Sequence, residues 1–419
     1  MDKVVVIGGG ASGMFAAVML AEKGYSPVII EKNEKLGKKL FITGKGRCNL
    51  TNDCDTETLL KNVVTNPKFL YSAFYGFSSA DTISYFEGLG LKTKTERGGR
   101  VFPVSDHSSD VISVLKTKLE RLKVEVIYNC TVRDIKVQQD VTDEKYTGSV
   151  KSVVCESAGK ISEIMTDYVV VATGGMSYGS TGSTGDGYGF AERLGINVIK
   201  PRPALVPLEV SGDMCKELMG LSLKNVKLTF SAVVKNRRKE IFSEQGEMLF
   251  THCGVSGPVV LSASSVIGRY IQNDVLLHID FKPALSVAML DERILRDFSH
   301  NNNKQFRNSL NELLPKAIIP YVIDKSGVDP YKQVNSVTRE ERIRLVETLK
   351  NFELPIAGLR SFNEAIITQG GIDVKEINPK NMESKKIKGL HFIGEVLDTD
   401  AFTGGFNLQI AWSTAAALE

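Results

Sequence analysis

Residues 4–14 read Val4-Val5-Val6-Ile7-Gly8-Gly9-Gly10-Ala11-Ser12-Gly13-Met14. Four apolar residues in a row suit a parallel strand buried on both faces. Gly8, Gly10 and Gly13 follow at once in the spacing G-x-G-x-x-G. In that spacing the first glycine permits a tight turn, the second lets the backbone approach a pyrophosphate, and the third lets the next helix pack closely on the strand. Ser12 stands near the helix start, helical spacing runs from Met14 to Lys23, and Gly24 stops it. Val28, Ile29 and Ile30 then form a second apolar run that ends in Glu31. A carboxylate at about that distance, roughly 20 residues on, accepts hydrogen bonds from an adenosine ribose and repels a 2′-phosphate. The glycine pattern alone is weak, but strand, glycines, helix, strand and acid in this order predict a clamp for an adenine dinucleotide other than NADP. The choice between NAD and FAD falls to the rest of the chain.

At 419 residues the chain exceeds the usual limit of a single core, so two or three domains are expected. With 42% hydrophobic and 24% charged residues it has the composition of an ordinary globular protein. A net charge of +3 in a chain this size argues neither for a nucleic-acid binder nor for a membrane-surface protein, and the basic cluster Lys235 to Lys239 reads as a solvated turn. No run approaches the ~20 apolar residues of a membrane span, and the opening apolar run is too short for a signal peptide. The six cysteines are scattered without a C-x-x-C pair, which predicts no metal site and fits a reducing cytoplasm. Cys48 and Cys54 are spaced too widely for a typical redox pair, so Cys48 reads as a packed residue.

The stretch Lys32 to Asn52 is polar and glycine-rich, which predicts an irregular loop leaving from the ribose-binding end of the second strand and lying across the cofactor. Lys39, Arg47, Asn49 and Thr51 offer donors to phosphate or to flavin carbonyls. Aromatic-rich helices follow from Pro67 to Gly90, a hairpin turn at Glu96 to Pro103, a helical crossover at Asp106 to Lys123 and an antiparallel meander through Val132 and the run from Gly148 to Met165. Asp167 to Gly175 is another buried strand ending in a glycine turn, without a second G-x-G-x-x-G, so it reads as part of the first sheet. The prolines at 201, 203 and 207 mark a boundary. The divisions expected are a first cofactor-binding segment at 1–200, an inserted β-rich domain at 201–284, an inserted helical region at 285–355 and a return segment at 356–419. In the insertion, Phe250 to Pro258 carries His252, a candidate proton donor. In the return segment, glycines at Gly404 and Gly405 open a helix; a helix N-terminus aimed at a ring favours the anionic reduced flavin, and this selects FAD over NAD.

Val-Ile-Gly-Gly-Gly-Ala-Ser-Gly-Met at 6–14, Gly-Arg-Cys-Asn-Leu-Thr-Asn at 46–52, Phe-Thr-His-Cys-Gly-Val-Ser-Gly-Pro at 250–258, Gly-Glu-Val-Leu-Asp at 394–398 and Gly-Gly-Phe-Asn-Leu-Gln at 404–409 together resemble the BaiN-type family of FAD-dependent oxidoreductases, whose members are also labelled aminoacetone oxidases. The resemblance spans nearly the whole chain. It implies an α/β fold in which a Rossmann-like FAD-binding domain is split in sequence by a β-barrel-like region and a helical region. It also implies FAD contacts from Gly8, Gly10, Ser12, Gly13, Glu31, Lys32, Lys39, Arg47, Thr51, Val132, Thr173, Asp398, Asn407 and Leu408. The reaction expected is reduction of FAD by NADH or NADPH and hydride delivery to a small organic acceptor such as an activated alkene, with His252 supplying the proton. An oxidase acting on an amine or amino-ketone is the alternative. A flavin-bound RNA-modifying or scaffold protein is a third, disfavoured by the charge.

Overall fold

A computed structural model describes residues 2–139 and 145–419. Lys3–Ile7 is the middle strand of a five-stranded sheet in the spatial order Leu390–Phe392, Tyr168–Val171, Lys3–Ile7, Ser26–Ile30, Glu125–Ile127. Every neighbouring pair is parallel; Ile7 stands between Val171 and Ile30. Val4 to Ile7 are buried, as the unbroken apolar run requires of a strand covered on both faces. The chain builds outward from Lys3–Ile7 in one direction and later returns to its other side, so the order reverses at this strand. In open parallel sheets ligands bind at such a reversal, beyond the carboxyl ends of the strands. Gly8, Glu31, Thr173 and Gly394 all lie just beyond that edge.

The helix Ala11–Glu22 packs against the final helix Phe406–Ala416. Phe15, Phe86 and Trp412 meet there with ring centroids 5.2 to 6.0 Å apart. Beside this core Cys130–Gln138, Gly148–Ser157 and Lys160–Met165 form an antiparallel meander. The stretch expected to be irregular between Lys32 and Asn52 contains one short helix, Lys38–Ile42, followed by a 3-10 turn at Thr43–Gly46.

The described chain has two compact units, 1–204 with 362–419, and 205–361. The proline-rich strand Val198–Ala204 pairs antiparallel with Ile367–Ile372 in the first unit, where the chain leaves it and returns. Among the described residues the strand Val198–Ala204 has a ladder partner on one side only, which tolerates Pro201 and Pro203. In the second unit a closed barrel runs Leu208–Val210, Gly254–Ser256, Arg237–Thr251, Ser222–Val234, Leu276–Asp280, Phe352–Leu359. The last strand follows the helices Val287–His300, Ile319–Ser326 and Arg339–Lys350 in sequence, so the β-rich and helical stretches share one unit. Leu277, Phe352 and Leu345 belong to a common core because closing a barrel removes its free edge, and only a strand from beyond the helices completes it. Among the described residues no helix is long and apolar enough to cross a membrane.

Candidate functional site

At the first strand end, Gly10 caps the helix Ala11–Glu22, and the Met14 amide donates to the Gly10 carbonyl at 3.0 Å. A Cβ on Gly13 would collide with the Gly8 carbonyl oxygen, whereas nothing lies within 4 Å of one on Gly10. The turn is therefore closed beneath and open above, the shape needed for a backbone that carries phosphate. The Glu31 carboxylate is only 6% exposed. It accepts from the Gly9 amide at 2.7 Å and from the backbone and side-chain nitrogens of Asn33 at 2.8 and 2.7 Å. The acid is thus fixed against the glycine turn, with lone pairs remaining for further donors. Cys130 donates its amide to the Glu31 carbonyl at 3.1 Å, which sets the meander, with buried Val132 on it, beside this end of the site.

The next strand end contributes Thr173. Its hydroxyl oxygen is buried without a hydrogen-bond partner among the described residues, as is Asn49 Oδ1. Orphaned buried polar atoms are rare and call for a ligand group or water. Ser12 is buried against Gly394, where an added Cβ would press on its hydroxyl at 2.6 Å. Lys39 Nζ donates to Ser177 Oγ and to Glu395 Oε2, both at 2.6 Å. Glu395 in turn accepts from the Thr368 amide at 2.8 Å. These bonds tie the second strand's loop to the turn after Thr173 and to the loop after Gly394.

The return segment supplies the other half. Asp398 is buried, and Asn66 donates its side-chain amide to its carboxylate at 3.0 Å. Asn407 accepts from the Ala401 amide at 3.0 Å and donates back to the Ala401 carbonyl at 2.7 Å, so it folds the loop before the helix. Gly405 has φ +98°, a conformation that favours glycine, and its backbone lies against the Thr51 carbonyl too closely for any Cβ. The helix ladder begins with the Gln409 amide on the Gly405 carbonyl, so the amides of Phe406, Asn407 and Leu408 precede it.

Gly8, Gly10, Ser12, Gly13, Glu31, Val132 and Thr173 thus gather around the sheet edge, and Lys39, Thr51, Asp398, Asn407 and Leu408 belong to segments bonded to it or to one another. Three of the expected residues stand otherwise. The Arg47 guanidinium donates to Asp106 at 2.8 and 2.6 Å and to Glu96, and lies 4.2 Å over the Phe102 ring. Lys94 also pairs with Asp106 at 2.6 Å. Hydrogen bonding from Arg47 holds the Glu96 carboxyl below its ordinary range, and bonds from Lys94 and then Arg47 do so for Asp106. Arg47 therefore braces the hairpin Thr93–Pro103. Lys32 is held by Thr184 and Asp186 at 2.5 and 2.6 Å. His252 sits exposed at the turn between Arg237–Thr251 and Gly254–Ser256, in the barrel unit. Burial pushes the Cys48 thiol up to about 12 and that of Cys54 up to about 11, which leaves little thiolate at neutral pH.

Several residues in this frame have no contact assigned to them by the sequence: Asn52, Glu395 and Gln409, which stand in the quoted motifs, and Ser177 and Thr368. Gln409 alone carried a usable signal. It is a polar residue in the otherwise apolar helix run Ile410, Ala411 and Trp412, and a buried amide demands partners.

The residues present fit FAD: an open glycine turn, a fixed acid beside it, unpaired polar atoms along the edge, and a second helix start. The chain is 30% identical to a 3-dehydro-bile acid delta(4,6)-reductase of Clostridium scindens over 99% of its own length and 97% of that protein. It is likewise 30% identical to a ribosomal RNA dihydrouridine synthase of Haemophilus influenzae, over 99% and 96%. The solved 3-ketosteroid-delta4-(5alpha)-dehydrogenase of Rhodococcus jostii RHA1 shares the fold, with a TM-score of 0.51 at 15% identity over 100% of this chain and 97% of that one. The family model described as HI0933-like protein Rossmann domain matches residues 2–418, and with it the glycine turn, acid and return helix take their place: the chain belongs to that family and is an FAD-dependent oxidoreductase.

Proposed function

We propose that this chain reduces a carbon–carbon double bond conjugated to a carbonyl in a small organic acceptor, with NADH or NADPH as the reductant. The observation that carries this reading is the chemistry common to two full-length relatives. A delta(4,6)-reductase and a dihydrouridine synthase are both named for saturating such a bond, one in a steroid and the other in a nucleobase. The net charge of +3 supports a small molecule over an RNA.

FAD, when bound, supplies hydride transfer. In this reading the chain's residues hold it. Glu31 would accept from ribose hydroxyls, the helix-start amides after Gly10 would face the pyrophosphate, and Val132 would border the adenine. Lys39, Thr51, Thr173 and Asp398 contact the remainder, and the amides of Asn407 and Leu408 face developing negative charge. Lys32 and Arg47 reach the cofactor in this reading only by exchanging the carboxylates that hold them. In this reading His252, exposed on its turn, donates the proton that completes saturation of the acceptor.

The test is anaerobic mixing of the flavin-loaded protein with NADH and with NADPH, followed by a conjugated enone or a uridine-containing RNA. Bleaching of the flavin absorbance by a nicotinamide and its recovery on adding the enone support the proposal. Recovery with RNA alone moves the acceptor to a nucleic acid. No bleaching by either nicotinamide defeats the reductase reading, and peroxide formed from an amine in air-saturated buffer without nicotinamide replaces it with an oxidase.

A further inference from the structure

We infer that Gln409 is a positioning residue that sets the reduction potential of the bound flavin by fixing the start of the helix Phe406–Ala416 against residues 50–52. The inference rests on the reading of that helix start as the end facing the flavin ring.

Three consecutive residues of the early loop are each held by the return segment. The single tryptophan, Trp412, donates its indole N–H to the Leu50 carbonyl at 2.9 Å. Thr51 donates its hydroxyl to Gln409 Oε1 at 2.6 Å. Asn52 donates its side-chain amide to the Gly404 carbonyl at 2.9 Å and to the Gly98 carbonyl at 2.9 Å. Gln409 is the centre of this clasp. It is 0% exposed, also accepts from Thr82 Oγ1 at 2.9 Å, and donates to the Phe77 carbonyl at 3.2 Å and Ser413 Oγ at 2.9 Å. The Phe77 carbonyl can only accept, so it fixes which end of the amide faces Thr51. All four bonding positions of the side chain are filled.

The bond to Thr51 has a consequence beyond stability. Thr51 stands directly behind Gly405, whose backbone touches the Thr51 carbonyl where no side chain would fit. Any slackening of Thr51 therefore shifts the turn that aims the amides of Phe406, Asn407 and Leu408. Amides preorganised toward negative charge favour a reduced, anionic ring over an oxidised, neutral one. Loosening their aim weakens binding of the reduced form more than that of the oxidised form, and the potential falls.

The experiment measures the reduction potential, FAD dissociation constant, thermal midpoint and Trp412 emission of the flavin-loaded full chain. Gln409→Ala is expected to make the potential more negative by about 30 mV, the two-electron equivalent of a tenfold loss of preference for the reduced form. Its tryptophan emission is expected to shift as Trp412 leaves the Leu50 carbonyl. Thr82→Val removes the second bond to Gln409 Oε1 while leaving the Thr51 bond and both bonds of the amide nitrogen in place, and is expected to lower the thermal midpoint alone. If Gln409→Ala does not fold, Gln409→Met, unbranched and of similar length, carries the test. A folded Gln409 variant with the wild-type potential overturns the inference. The underlying reading is tested separately by Leu408→Pro, which deletes a first-turn amide, against Leu408→Ala. Equal potentials in that pair show that the helix start does not face the ring, whatever Gln409 does.

Discussion

The glycine turn at 8–13 and the loop at 44–52 are both glycine-rich, both follow the first βαβ unit's logic, and both read as cofactor contacts, yet they are built in opposite ways. The first is made of its own neighbours. Gly13 packs on Gly8, the Gly9 amide meets Glu31, and the whole device closes within 31 residues. The second is made of distant partners: Arg47 on Glu96 and Asp106, Thr51 on Gln409, Asn52 on Gly404. A local device is fixed by spacing, whereas a loop held from afar takes its conformation from whatever the tertiary structure brings to it.

The largest effect is expected in the local device. Gly13→Val forces a side chain into the Gly8 carbonyl and is expected to cost about 3 kcal/mol and to yield protein without flavin absorbance. Retention of FAD by that variant would break the comparison. Glu31→Gln keeps the shape and removes the charge. It is expected to weaken FAD binding about 30-fold, in line with about 2 kcal/mol for hydrogen bonds to an ionised acceptor, and equilibrium titration of the apoprotein measures it. Arg47→Met sharpens the contrast. If the guanidinium braces the hairpin alone, FAD affinity changes less than about threefold while the thermal midpoint falls, both read on the same protein. A large loss of affinity would return Arg47 to the cofactor.

A smaller effect concerns His391 in the strand Leu390–Phe392. Burial lowers its pKa from the ordinary value, with the Asn381 carbonyl 3.0 Å from Nδ1 opposing the shift. The folded chain keeps this imidazole neutral while the unfolded chain takes up a proton below about pH 6.5. The resulting stability is full above that value and is lost as pH falls toward the lowered folded pKa. Denaturant midpoints measured from pH 7.5 to 5.5 are expected to decline, and His391→Asn is expected to flatten that decline. The distant network at Glu96 and Asp106 has the same sign but acts only in strong acid, because both carboxyls are held below their ordinary range.

The sequence by itself determined the parallel strand, its glycine turn, the acid at Glu31 and the meander, because each depends on periodicities and spacings inside one short stretch. It also marked the exit from the first unit at the prolines, since proline cannot join a central strand. The tertiary structure alone decided that the barrel is closed by Phe352–Leu359 from beyond the helices, because edge closure is a pairing between strands far apart in the chain. It alone decided that Arg47 faces two carboxylates and that Gln409 grips Thr51. Charges and amides carry no record in sequence of which partner satisfies them; burial imposes that choice, and only the folded chain shows which groups are buried together.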